Sequence, residues 1–338
     1  MQLSESDHSA TINSKANLLL ASRALLRLFS PGVLGGRLSI LIYHRVLAQQ
    51  DLVFPDESDA ETFDRQIGQL AACFNILPLD DAIQGLRKGK LPPRAACITF
   101  DDGYADNTEI ALPILQKHGV PATFFVATGF LDGGRMFNDT VIELIRRAPG
   151  DTVDLESLGL GKFSIGTVPE RRQAISQLLD KLKYLPSESR QSAVEEMSML
   201  IPVDLPRNLM MTSSQVRELH NAGMEIGGHT VSHPILAKME NSAACADIAN
   251  GKEVLESIIR APVRFFAYPN GKPGRDYLPD HVRMVEKLGF EAAVSTAHGA
   301  ARKDSDLYQL PRFTPWDKGP VRFALRMARN MLKTVETV

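Results

Sequence analysis

Ala95-Ala96-Cys97-Ile98-Thr99-Phe100-Asp101-Asp102-Gly103-Tyr104 is an uncharged run that ends abruptly in two adjacent carboxylates and a glycine. A short, almost wholly apolar run reads as a strand covered on both faces, as in parallel sheets. Gly103 lets the chain turn sharply at its end. In such sheets catalytic groups collect at the C-terminal ends of strands. Far downstream, residues 224–228 are a second strand candidate and lead into His229-Thr230-Val231-Ser232-His233. One carboxylate with two imidazoles makes a three-ligand site with room for water, the arrangement of a catalytic divalent metal. The other carboxylate then stands beside that water as a base, so the pattern points to metal-assisted hydrolysis. A spacing of four puts both imidazoles on one face if their segment is helical.

Working outward, further strand candidates are 38–43, 122–127, 263–268 and 291–295. Helical patterns fall between them at 61–73, 80–88, 107–118, 213–221, 241–259 and 280–288. This alternation argues for a parallel α/β sheet, open or closed into a barrel. Residues from about 132 to 207 break it with helical patterns at 141–147, 170–183 and 187–200, which predicts a helical insertion between two strands.

The 338 residues, 44% hydrophobic and 23% charged, suffice for a full core and speak against wholesale disorder. A net charge of −2 gives no general case for nucleic acid as a partner. Cys73, Cys97 and Cys245 lack metal-type spacing and read as free thiols, which leans towards a reducing compartment. Near the N-terminus, Leu18-Leu19-Leu20-Ala21 is followed by Arg23 and Arg27. Those charges break any secretory core of roughly 7–15 apolar residues. No window approaches the ~18 apolar residues of a membrane span, so a cytoplasmic location is expected. Arg322, Arg326, Arg329 and Lys333 are spaced four, three and four apart in a C-terminal helical pattern. That basic stripe suits peripheral contact with an anionic membrane; the competing reading is a helix docked on the barrel with a solvated face.

Thr99-Phe100-Asp101-Asp102-Gly103 and His229-Thr230-Val231-Ser232-His233 resemble the first two motifs of the polysaccharide deacetylase family, the carbohydrate esterases with a NodB-homology domain. The resemblance runs from about Leu38 to Phe313 and is weakest in the insertion. It implies a distorted (β/α)7 barrel over 37–318; the residue patterns outside it add an amphipathic helical segment at 1–36 and a basic helix at 319–338. It also implies Asp101 as general base, Asp102, His229 and His233 as metal ligands, zinc as the usual metal, and an N-acetylated glycan as substrate, with acetate released.

The third motif of the family aligns with Phe266-Ala267-Tyr268-Pro269-Asn270-Gly271 and departs from its pattern. Ala267 stands where an arginine usually orients the base, and Asn270 where a tyrosine stands. Arg264 and Arg312 are the candidates for the arginine's role. Tyr104, Tyr268, Pro269 and Asn270 are candidates for substrate or oxyanion contacts, Asn270 through its backbone N–H. The C-terminal acid motif is replaced by Leu310-Pro311-Arg312-Phe313. Instead, Ile40-Leu41-Ile42-Tyr43-His44 is similar to the acid-bearing strand of circularly permuted exopolysaccharide deacetylases, which implies His44 as the acid that protonates the leaving amine. Three other readings compete: a hydrolase of a non-sugar amide or cyclic imide, an iron oxygenase using the same facial ligands, and a catalytically silent glycan-binding module.

Overall fold

The computed structural model describes residues 20–314 and 320–338. A helix over residues 20–29 (α1) leads into β1 (Leu38–Tyr43), α2 (Ala60–Cys73), β2 (Asn75–Ile76), α3 (Leu79–Arg87) and β3 (Ala95–Phe100). Then come α4 (Leu112–Lys117), β4 (Thr123–Val126), α5 (Phe137–Arg147), β5 (Thr152–Leu155), β6 (Gly161–Ser164), α6 (Val168–Leu182) and α7 (Ser187–Leu200). The chain returns through α8 (Ser213–Asn221), β7 (Glu225–Gly228), α9 (Asn241–Ile259), β8 (Phe265–Ala267), α10 (Pro279–Lys287), β9 (Ala292–Val294), β10 (Arg312–Phe313) and α11 (Pro320–Met331).

Every residue of β1 and β3 is buried, and the two strands pair in parallel along their whole length, Ile40 opposite Cys97. Parallel neighbours need crossover helices, which cover both faces of the sheet and explain the unbroken apolar runs. The strand order is β10-β1-β3-β4-β7-β8-β9, with β2 also pairing with β3. Leu310 bridges Val294 in parallel while Arg312 pairs with Ile40, so residues 310–313 join β9 to β1. The sheet thereby nearly closes, and the α/β barrel implied by the resemblance is the fold observed. All these strands point their C-terminal ends to one rim.

Residues 132–207 differ from the helical expectation by containing an antiparallel hairpin, β5 with β6. Positions 152–155 alternate exposed and buried, and Gly159 and Gly161 turn the chain at φ +68° and +99°. A half-polar strand this short carries little apolar signal, which is why it hides among helical patterns. Val153 and Phe163 pack with Leu178 and Met197 of the surrounding helices in a core of their own.

At the termini, the part of the 1–36 segment before residue 20 lies outside the described residues. Phe323, Met327 and Met331 of α11 are buried against the barrel, leaving its basic stripe outward. Cys73 and Cys97 are buried and Cys245 half-buried, all three free. Among the described residues, no helix is long and apolar enough to cross a membrane.

Candidate metal centre and catalytic cleft

β3 ends at Phe100, and the chain turns at once through Asp102 and Gly103, at φ +76° and +91°. A Cβ at position 103 would lie 2.9 Å from Val126, so only glycine lets this loop settle onto β4. β7 ends at Gly228 and delivers His229 to the same rim.

The two imidazoles meet without a helix, contrary to the helical-face expectation. Residues 229–235 are irregular, with Thr230 and His233 at φ +68° and +48°. A β-branched residue at positive φ is strained and persists only where its surroundings hold it. Three supports are visible. Thr230 Oγ1 accepts from the His233 backbone N–H at 3.0 Å. Asp247 of α9 accepts from the Val231 N–H at 2.8 Å and from the Ser232 hydroxyl at 2.8 Å. One turn on, Gly251 brings α9 so close that a Cβ there would lie 2.8 Å from the Thr230 carbonyl carbon.

Asp102 Oδ1 lies 3.3 Å from Nε2 of both His229 and His233. That oxygen is buried and has no hydrogen-bond partner, a costly state for a carboxylate unless a cation completes it. The His229 Nδ1 lies 2.7 Å from the Ala267 carbonyl. A carbonyl can only accept, so Nδ1 carries the proton and Nε2 presents its lone pair to the cluster. Burial holds the His233 pKa down to about 4, so its imidazole is neutral and able to ligate at neutral pH. Two imidazole nitrogens and one carboxylate oxygen, clustered and buried, suit a hydrolytic divalent cation.

Asp101 is held differently. Arg312 grips it with both ends of its fork, Nη1 to Oδ1 at 2.6 Å and Nη2 to Oδ2 at 2.7 Å. The guanidinium is itself fixed by the Ser295 carbonyl at 3.0 Å and by Thr99 Oγ1 at 3.2 Å. Burial pushes the Asp101 carboxyl up, but Arg312 and His229 outweigh it and hold it below the usual carboxylate range. An ionised, oriented carboxylate therefore stands beside the three-residue cluster, its Oδ2 4.0 Å from His229 Nε2.

Arg264, the other arginine considered, does not reach Asp101. It precedes β8, at the opposite end of the strands, and pairs with Asp80 at 2.8 Å. His44 follows β1 and is exposed at the cleft rim, within electrostatic reach of both Asp101 and Asp102. Its loop is tied to the aspartate loop: Asn107 donates to the His44 carbonyl at 2.8 Å, and Arg45 pairs with Asp106 at 2.8 Å.

Asn270, at φ +58°, borders a cavity of about 300 Å³ together with Asp102 and His233. Pro269 beside it is buried. The two tyrosines turn away from the cleft. Tyr268 is fully buried, stacked on Tyr277 at 4.0 Å, and donates to the Tyr308 carbonyl at 3.0 Å. Tyr104 is buried under the Arg45 guanidinium and donates to Asp139 Oδ1 at 3.1 Å. A side chain with its ring and hydroxyl so engaged presents no face to substrate.

Several participants were not read from the sequence. Asp247 acts on residues 15 and 16 positions away, a separation that carries no local signal. Asp139 comes from α5 in the insertion, where burial raises its carboxyl to about 7, with Arg45 opposing and Asp102 adding to the rise. Lys183 and Arg190 of the insertion also line the 300 Å³ cavity, so the insertion forms one wall of the cleft. Asp106 alone had a visible clue, an acid four residues after Asp102.

A nearly closed parallel barrel, with an aspartate–histidine–histidine cluster and an arginine-held aspartate on its C-terminal rim, defines a NodB-type α/β barrel. A family profile described as polysaccharide deacetylase matches residues 88–158 and 189–293. The chain belongs to the polysaccharide deacetylase family; the unmatched gap lies within the insertion. It is 22% identical over 278 residues to the polysaccharide deacetylase-like protein YxkH of Bacillus subtilis, covering 82% of this chain and 70% of that one. It is also 22% identical over 237 residues to a Staphylococcus aureus poly-beta-1,6-N-acetyl-D-glucosamine N-deacetylase, covering 70% of this chain and 60% of that one. Among solved structures, IcaB from Ammonifex degensii aligns over 89% of this chain and 99% of its own, with a TM-score of 0.56 and 18% identity. The deacetylase PplD of Streptococcus pyogenes, solved with acetate, aligns over 82% and 92%, with a TM-score of 0.54 and 19% identity. At such identities the structural likeness establishes the fold.

Proposed function

We propose that this protein is a metal-dependent N-deacetylase of acetamido glycans of the poly-N-acetylglucosamine exopolysaccharide type. The observation that carries the proposal is the buried, unpartnered Asp102 Oδ1 between two histidine Nε2 atoms, next to an aspartate held ionised by Arg312. The names of the relatives from S. aureus and B. subtilis support the glycan as substrate class.

Asp102, His229 and His233 would hold the ion, most suitably zinc. When bound, such an ion polarises the amide carbonyl and makes water a better nucleophile at neutral pH. Asp101 accepts the proton of the attacking water, with Arg312 keeping its carboxylate ionised and aimed. The Asn270 backbone N–H, at the cavity wall beside Asp102, serves the developing oxyanion. His44 at the rim hands a proton to the leaving nitrogen, because an unprotonated amide nitrogen is a very poor leaving group. The silent-module reading rested on the missing motif arginine, and Arg312 supplies a guanidinium on Asp101 from another strand.

The test is zinc-reconstituted protein against a panel of N-acetylated glycans, scored for free amine and acetate. Turnover of β-1,6-linked N-acetylglucosamine oligomers is expected. Activity confined to non-sugar amides would overturn the substrate class. A His44→Ala protein is expected to keep its metal and lose about 10²–10⁴ in kcat; full turnover would remove His44 from the mechanism.

A further inference from the structure

The strongest feature outside the cleft is the outer face of α11. Arg322, Arg326, Arg329 and Lys333 are all exposed there, and the helix itself contains no acid. Leu325 and Leu332 stand among these bases at 53% and 56% exposure, while Phe323, Met327 and Met331 fill the buried face. Together with His298 and Phe313, the bases line a groove of about 770 Å³.

A second helix repeats the pattern beside it. On α1, Arg23 and Arg27 are exposed, flanked by Leu20 at 62% and Leu28 at 79% exposure, while Leu26 is buried inward. The two helices share one side of the barrel. Phe323 of α11 packs on Phe74, 6.4 Å between ring centres, and the charge of Arg23 is felt at the neighbouring Cys73. Arg37, whose backbone is bonded to Ser30 at the end of α1, donates to the Met331 carbonyl at the end of α11.

We propose that α1 and α11 together form a docking surface for an anionic phospholipid membrane. Bases bracketing outward leucines match lipid at two depths, the guanidinium groups at the headgroup phosphates and the leucines at the acyl boundary. A soluble phosphate ligand would require the bases but would leave four exposed leucines without a purpose. The groove meets the cleft rim at one step of chain: Phe313 lines the groove, and Thr314 lines the cavity that holds His44. Docking would thus bring the cleft close to the lipid surface.

The experiment is co-sedimentation of the full chain with phosphatidylglycerol–phosphatidylcholine vesicles and with pure phosphatidylcholine vesicles. Binding to the anionic vesicles alone is expected, weakening as salt is raised. Arg322→Glu combined with Arg329→Glu should reduce it at least about tenfold, while Arg217→Glu on α8, away from this face, should not. Leu325→Ser with Leu332→Ser should weaken binding and leave its salt dependence in place. Equal binding to both vesicle types, or indifference to the double charge reversal in a folded protein, would overturn the proposal. So would complete release by inorganic phosphate at matched ionic strength, which would reassign the groove to a soluble anion.

Discussion

Arg312 and Asp101 lie 211 positions apart in the chain and meet fork to fork, at 2.6 and 2.7 Å, with the arginine side chain fully buried. Planar bidentate pairing orients a carboxylate as well as keeping it charged, and lysine cannot reproduce it. The arginine missing from position 267 is therefore replaced in space by one from the strand that closes the barrel.

This relationship predicts that Arg312→Lys keeps the charge and loses the aim. Misplacement of a reacting group by about 1 Å costs on the order of 10²-fold, so kcat should fall by about that factor. Metal content, measured by elemental analysis, should be unchanged. Wild-type turnover in the variant would show that the fork is not needed.

Asp101 and Asp102 should separate cleanly although they are neighbours. Asp102→Ala is expected to lose both bound metal and activity, since it removes the oxygen shared by His229 and His233. Asp101→Asn should retain the metal and lose turnover. Stoichiometric zinc in both variants would mean that the cluster is not the binding site.

Asp247 stands outside the Asp102–His229–His233 cluster, yet it holds the backbone of Val231 and Ser232 between the two histidines. Partners that orient metal ligands commonly carry 10–100-fold in metal affinity. Asp247→Ala should therefore weaken zinc binding by about that factor. Saturating zinc should restore most of the activity, a rescue that a general folding defect would not show.

The buried Asp139 predicts an unusual pH dependence of stability. Its carboxyl is raised to about 7 in the fold, whereas the unfolded carboxyl titrates near about 3.9. Between those values the folded chain keeps a proton that the unfolded chain has released, so stability is full below the window and is lost as pH rises through it. In the metal-free protein, Asp139→Asn should raise stability by about 2–4 kcal/mol near pH 8 and change little near pH 4. Thermal melts of both proteins across that range decide the matter; a gain of Asp139→Asn over the wild type that is no larger near pH 8 than near pH 4 would contradict it.

Much of this was legible in local pattern. The almost wholly apolar run at 95–100 marks a strand covered on both faces, and α9 spans the same residues, 241–259, that its helical pattern marks. Other elements were not. The β5–β6 hairpin alternates over four residues, too few to rise above neighbouring helical patterns. The stretch 107–118 opens with a π-helical turn over Asn107–Ala111, which a helical period does not distinguish from an α-helix. The histidine loop defeats periodicity altogether, because its shape is set by Thr230, Asp247 and Gly251 acting together.

What the sequence determined by itself is the chemistry at each strand end: Asp-Asp-Gly after one apolar run and His-x-x-x-His after another. In any parallel sheet both arrive at the same rim, but their meeting across β4 follows from the strand order β3-β4-β7. Which partners those groups acquire was decided only in three dimensions. Arg264 and Arg312 were equivalent candidates on paper. Yet one precedes its strand and pairs with Asp80, while the other lies within the closing strand opposite Ile40 and turns into the barrel. Tyr268 sits in the motif and still points into the core. The reason is geometric: a strand's own residues set its burial and its end, but cross-barrel neighbours depend on strand order and register, which arise only when all the strands pair.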